Sequence, residues 1–242
     1  MNKIFTIVVA CLFWSGTVAQ QQESVITYEV KQNMHRGLSA DQENMKNMLP
    51  EFRTSKMQLL FNNQESLYAP VQDEEDDMEA GSGGVRIMVR TPYSETYTNS
   101  STQKVVSYRE FLGKNYLIQD SIRINPWKFS SETKTIQGYI CKKAYYTNDN
   151  QQLVTAWYTE QLRPYLGPDA YNNLPGTVLQ VDVNEGERIL TAIRVETRPL
   201  KKNELKEPVK GQAVTAAEFR KQVEEQRERM NREGGRTIRF NN

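Results

Sequence analysis

The run Thr177-Val178-Leu179-Gln180-Val181-Asp182-Val183, followed after Asn184-Glu185-Gly186-Glu187 by Arg188-Ile189-Leu190-Thr191-Ala192-Ile193-Arg194-Val195-Glu196, decides the fold class. Thr177, Leu179, Val181 and Val183 alternate with Val178, Gln180 and Asp182, and Ile189, Thr191, Ile193 and Val195 alternate with Leu190, Ala192, Arg194 and Glu196. Successive side chains of a strand point to opposite faces, so a period of two with one apolar side describes a sheet covered mainly on one face. The Asn-Glu-Gly-Glu between the runs supplies residues that tolerate a left-handed backbone, which predicts an antiparallel hairpin.

Outward from this pair the same pattern predicts strands near 26–30, 56–61, 66–69, 85–89, 104–112, 116–122, 136–146 and 153–158. Hairpin punctuation lies at Asn62-Asn63-Gln64-Glu65, Gly113-Lys114-Asn115 and Asn148-Asp149-Asn150. Two helices interrupt the strands. Ser39 with Gln42 makes a capping box for a short helix after the first strand, closed by Pro50, and Thr215 with Glu218 makes the same box for a C-terminal helix. The fold class expected is mainly β: a curved antiparallel sheet of half-barrel outline with those two helices. The segment 199–214, rich in Lys, Glu and Pro, is expected as a linker between the β domain of 20–198 and the helix and tail of 215–242.

The N-terminus predicts export. A short basic head at Asn2-Lys3, an apolar stretch from Ile4 to Trp14 and the small residues Ser15 to Ala19 form a cleavable signal over 1–19. Lipidation at Cys11 is the alternative. No later stretch reaches the roughly 20 apolar residues of a membrane span. Cleavage takes the formal charge from +1 to zero and leaves Cys141 as the one cysteine, inside an apolar strand pattern that points to burial. Balanced charge excludes the strongly basic footprint of a nucleic-acid binder.

No catalytic constellation stands out. His35 is the one imidazole, far in sequence from Cys141, and the two cannot make up a zinc ligand set. Gly81-Ser82-Gly83-Gly84 precedes a predicted strand, whereas a phosphate cradle opens a helix. The acidic, Gly-rich loop 71–84 lacks the ligand spacing of a calcium loop. No cofactor and no metal are expected.

Trp127, then Ile136-Gln137-Gly138-Tyr139-Ile140-Cys141, then Ala156-Trp157-Tyr158-Thr159, then Gly167-Pro168 and Asn173-Leu174-Pro175-Gly176-Thr177-Val178 resemble the GLPGLI family of Gram-negative envelope proteins. Asn173 stands where that motif has its first Gly, and Thr177-Val178 where it has Leu-Ile. The resemblance implies an exported β-sheet protein, similar in outline to lipoprotein-carrier half-barrels of the LolA type. Pro164, Gly167, Pro168, Pro175 and Gly176 read as a shaped crossover between strands. Trp127, Tyr139, Trp157, Tyr158 and Leu174 are the binding residues expected, an aromatic-lined concave face offered to an envelope protein, peptide or lipid. The function so read is a non-enzymatic periplasmic or outer-membrane-associated binding module. The alternative is an envelope hydrolase using carboxylates on glycan or peptide.

Overall fold

The computed structural model describes residues 23–36, 38, 43, 46–47, 49–71, 78–80, 87–89, 93–162 and 167–234. The strands are β1 (Ser24–Asn33), β2 (Phe52–Phe61), β3 (Glu65–Pro70), β4 (Met78–Ala80), β5 (Ile87–Val89), β6 (Ser94–Asn99) and β7 (Lys104–Phe111). They continue with β8 (Lys114–Ser121), β9 (Lys128–Ile136), β10 (Tyr139–Thr147), β11 (Leu153–Thr159), β12 (Thr177–Val183), β13 (Arg188–Thr197) and β14 (Gln212–Thr215), before the helix α1 (Ala216–Gly234). Twelve strands form one open sheet in the order β14-β8-β7-β6-β3-β2-β1-β13-β12-β11-β10-β9, and β4 and β5 pair as a separate ribbon. Every pairing in the large sheet is antiparallel except β14 with β8, which is parallel. The expected signal, Pro164 and most of the acidic loop lie outside the described residues. So does most of the expected short helix, of which only Glu43, Lys46 and Asn47 carry helical geometry.

The order of strands forces the sheet to curl. β8 and β9 stand ten places apart, which in a flat sheet is about 48 Å at roughly 4.8 Å per strand. Yet the chain passes from Ser121 to Lys128 in seven steps, a reach of at most about 25 Å. The two ends of the sheet therefore come round toward each other while remaining unpaired, and the result is an open cup.

Register fixes which residues line it. Ala144, Ala156, Val181, Leu190 and Val30 stand side by side on β10, β11, β12, β13 and β1, and all are buried. A parallel row on the same face runs Ile26, Leu59, Tyr68, Thr96, Ser107, Ile118 from β1 to β8, so the concave face passes from hydrocarbon to hydroxyl along it. Tyr28, fully buried, donates its hydroxyl to the Val178 carbonyl at 2.6 Å, and burial pushes its ionisation well above the usual phenol range.

A second apolar layer occupies the opposite face of the β3, β6, β7 and β8 sector. Leu67, Ala69, Tyr97, Val106 and Leu117 pack there under Leu205. The expected linker thus covers part of the sheet and enters it as β14. Arg198 and Glu204 pin it through paired hydrogen bonds of 2.9 and 2.6 Å, and Lys104 holds Glu207 at 2.6 Å. The capping box that opens α1 is formed in both directions: the Thr215 N–H donates to Glu218 Oε2 at 2.7 Å, and the Glu218 N–H donates to Thr215 Oγ1 at 3.2 Å. Among the described residues no helix is long and apolar enough to cross a membrane.

Candidate functional site

The segment between β11 and β12 enters the cup and closes it with polar contacts. Leu162 and Leu174 sink into the main core, and the Thr177 hydroxyl donates to the Leu162 carbonyl at 3.2 Å. Close backbone approach needs glycine here: a Cβ on Gly176 would stand 2.2 Å from the Thr159 carbonyl oxygen, and one on Gly167 1.8 Å from that of Tyr171. Asn173 adopts φ +63°, a left-handed conformation that Asn tolerates better than most residues other than Gly. The connection between β8 and β9 is laced to this segment. Trp127 Nε1 donates to the Asn172 carbonyl at 2.9 Å, Asn125 Nδ2 to the Ala170 carbonyl at 2.9 Å, and Asn173 Nδ2 to the Arg123 carbonyl at 2.7 Å.

Asp169 is the polar centre of this arrangement. Its carboxylate accepts from Thr96 Oγ1 at 3.2 Å on β6 and from the Arg109 guanidinium at 3.3 Å on β7, and Arg188 on β13 stands 4.0 Å away. β7 and β13 lie five places apart in the sheet, so one carboxylate bridges the mouth of the cup. Asp169 itself has φ +53°. Beside it Tyr68 is buried, its hydroxyl has no partner among the described residues, and burial raises its ionisation far above the ordinary phenol range.

Next to Asp169 opens a cleft of about 300 Å³. Its floor is the polar end of the concave face, with Thr96, Thr98, Val105, Ser107 and Ile118. One wall carries Arg109, Asp169 and Asn172, and another carries Asp120 and Arg123, which are paired at 2.9 Å. Ala216, Phe219 and Arg220 of α1 complete it. Phe219 is held by edge-on contacts with Tyr116 and Phe111, at ring-centroid distances of 5.2 and 5.9 Å. Hydroxyls, an amide, carboxylates and guanidiniums surround a half-buried aromatic, so the cleft offers hydrogen-bond donors and acceptors beside an apolar surface. Among the described residues no three His, Cys, Asp or Glu side chains are grouped to hold a metal.

The five residues expected from sequence do not form one surface. Tyr158 and Leu174 are buried in the main core. Trp127 is half-buried against that core, edge-on to Tyr146 with centroids 4.6 Å apart, and serves as a strut to Asn172. Tyr139 is also half-buried against the core, its carbonyl 3.5 Å from Cys141 Sγ. Trp157 lies in the row Lys143, Trp157, Gln180, Thr191, Glu29 across β10 to β1, on the face opposite Ala156 and Val181. Lys134 Nζ sits 4.1 Å from its ring centre. Asp169, Arg109, Thr96 and Phe219 were missed because they come from four separate segments, and polar side chains in a strand read alone as its solvent side. Asp169 had one local sign, its place next to Pro168 in a crossover already marked by Gly and Pro.

The profile of the family described as N-glycanase peptide, N-terminal domain matches residues 51–220. No curated protein matches by sequence. Structures of PNGF-II in the P21 and C2 space groups align with 84% of this chain at TM-scores of 0.57 and 0.58 and 17% identity, a likeness of fold. The chain spans about a third of the length of PNGF-II, 33% and 32% in the two structures. The family match overturns the GLPGLI resemblance. Its Gly and Pro spacing is accounted for by the crossover, where Gly176 and Gly167 are required by backbone contact alone.

Proposed function

Because the chain belongs to the N-glycanase peptide, N-terminal domain family, we propose that it is a glycan-binding domain that acts outside the cytoplasm and holds a saccharide in the cleft beside Asp169. The observation that carries this reading is the chemistry of the cleft wall. Thr96, Ser107, Asn172, Arg109 and Asp169 set polar groups into one otherwise apolar hollow, with Phe219 at its side. Sugars are recognised by such fans of donors and acceptors on a rigid frame, and here the frame is the sheet and its laced crossover. The domain is non-catalytic in this reading: both carboxylates of the cleft are already engaged, Asp169 by Arg109 and Thr96, Asp120 by Arg123.

Titration of the processed protein with a biantennary N-glycan and with its glycopeptide, by calorimetry, tests the proposal. Saturable binding that Ser107→Val or Arg109→Ala weakens supports it. Release of the glycan from the glycopeptide would replace it with the hydrolase reading, and absence of both binding and release would end both.

A further inference from the structure

The cleft is not electrically balanced. Arg109, Arg123 and Arg220 line it, against Asp120 and Asp169. Arg188 stands behind Asp169 at 4.0 Å, so that one carboxylate is divided between two guanidiniums. Arg123 is matched by Asp120. Arg220 donates through Nε to the Ala216 carbonyl at 3.3 Å and has no carboxylate partner among the described residues. The carboxylate nearest in sequence, Glu218, is held by the Thr215 backbone and hydroxyl of the helix cap. Three guanidiniums against two carboxylates leave one positive charge on the lining, and Arg220, exposed at the mouth, is the one without a carboxylate.

A guanidinium keeps its charge throughout the physiological range, and its planar fork matches a carboxylate or a sulfate. The low-dielectric walls of a cleft draw the field of a charge at its mouth toward its interior. We infer that the cleft takes an acidic saccharide, a sugar bearing a carboxylate or a sulfate, with the anionic group at Arg220 and Arg109 and the sugar hydroxyls on Thr96, Ser107 and Asn172. This rests on the glycan-binding reading and narrows it to a substrate class.

Three probes separate the two statements when titrated against the full processed chain: a sialylated biantennary N-glycan, the same glycan after removal of its sialic acids, and the neutral glycan carrying a sulfate. The sialylated or the sulfated glycan is expected to bind about tenfold tighter than the neutral one, the worth of a charge-assisted hydrogen bond. Which of the two does so identifies the group. Added salt shrinks that preference, and Arg220→Gln removes it. Lys221→Gln, which takes the same charge from the same helix at a residue near Glu225, leaves the preference intact. Equal affinity for acidic and neutral glycans, or a preference that survives Arg220→Gln in a variant with unchanged melting temperature, overturns the acidic-sugar inference and leaves glycan binding standing. No binding of any probe removes both.

Discussion

The Arg109 guanidinium on β7 donates to the Asp169 carboxylate at 3.3 Å, although six strand positions separate β7 from β12, the strand that Asp169 leads into. That contact is possible only because the sheet curls, and it closes the rim of the cup where the cleft begins. Asp169→Asn keeps the shape and the left-handed backbone, which Asn tolerates, while removing the charge shared by Arg109 and Arg188. A loss of about 1 to 2 kcal/mol is expected in chemical denaturation. Asp169→Ala adds backbone strain and should cost about 1 kcal/mol more. Equal stability of the two variants would show that φ +53° carries no strain there.

Gly176→Ala tests the crossover. The new Cβ would meet the Thr159 carbonyl oxygen at 2.2 Å, and backbone cannot rotate aside as a long side chain can. The end of β11 and the entry to β12 would have to separate, at a cost of about 2 kcal/mol or more. A melting temperature within a degree or so of the parent protein would contradict that close approach.

The alternation of Thr177 to Val183 and of Arg188 to Glu196 was legible because burial on one face leaves a period of two in the sequence. The Thr215 and Glu218 box was legible because capping is local. Four strands were hidden: β4 lies within the expected acidic loop, β14 almost wholly within the expected linker, and β6 and β9 lack an apolar face. β6 (Ser-Glu-Thr-Tyr-Thr-Asn) carries hydroxyls on the concave face, and β9 (Lys-Phe-Ser-Ser-Glu-Thr-Lys-Thr-Ile) is an edge strand largely open to solvent. The strand expected over 136–146 is β10, which begins at Tyr139 after a two-residue turn at Gln137 and Gly138, with φ values of +49° and +82°, that joins it to the unread β9. The site stayed out of reach for a different reason. Arg109, Asp169 and Phe219 meet only once strand order and curl are set, and neither leaves a local mark.

Acid should weaken the hold on the covering segment. Glu204 ionises near 2, well below its ordinary 4.5, chiefly because Arg198 hydrogen-bonds it; desolvation opposes this, and the Lys201 N–H adds to it. A carboxyl whose folded value is lowered contributes stability above its unfolded value and loses it as pH falls toward the folded one. The stability gap between parent and Glu204→Gln is therefore expected to be full above about pH 4.5 and to close on the way to about pH 2. A gap constant across that interval would detach Glu204 from the acid response.

Cys141 is fully buried, and that burial pushes its thiol up to about 11. Only the thiolate attacks a disulfide reagent, so labelling at neutral pH should follow unfolding of the chain rather than the bulk thiol rate. The same shift predicts an alkaline weakness: above about 9 the unfolded chain ionises this thiol while the folded one does not. Rapid labelling without denaturant would place the thiol at the surface instead.

Phe219 is set by α1 between the helix and two aromatic rings of the sheet, with centroids 5.2 Å from Tyr116 and 5.9 Å from Phe111. Each edge-on pair contributes about 0.5 to 1.5 kcal/mol beyond its burial, whereas the exposed ion pairs along the helix, Lys221 with Glu225 and Arg232 with Glu228, contribute a few tenths each and none of it to docking. Phe219→Ala should therefore free the helix without melting the sheet. Amide exchange should quicken along α1 and stay slow in β1, β12 and β13, where the core is densest. Because Phe219 and Arg220 form one wall of the cleft, glycan affinity should fall in the same variant. If exchange in α1 is unchanged, the helix is held by something other than that ring, and the wall it gives the cleft is not set by Phe219.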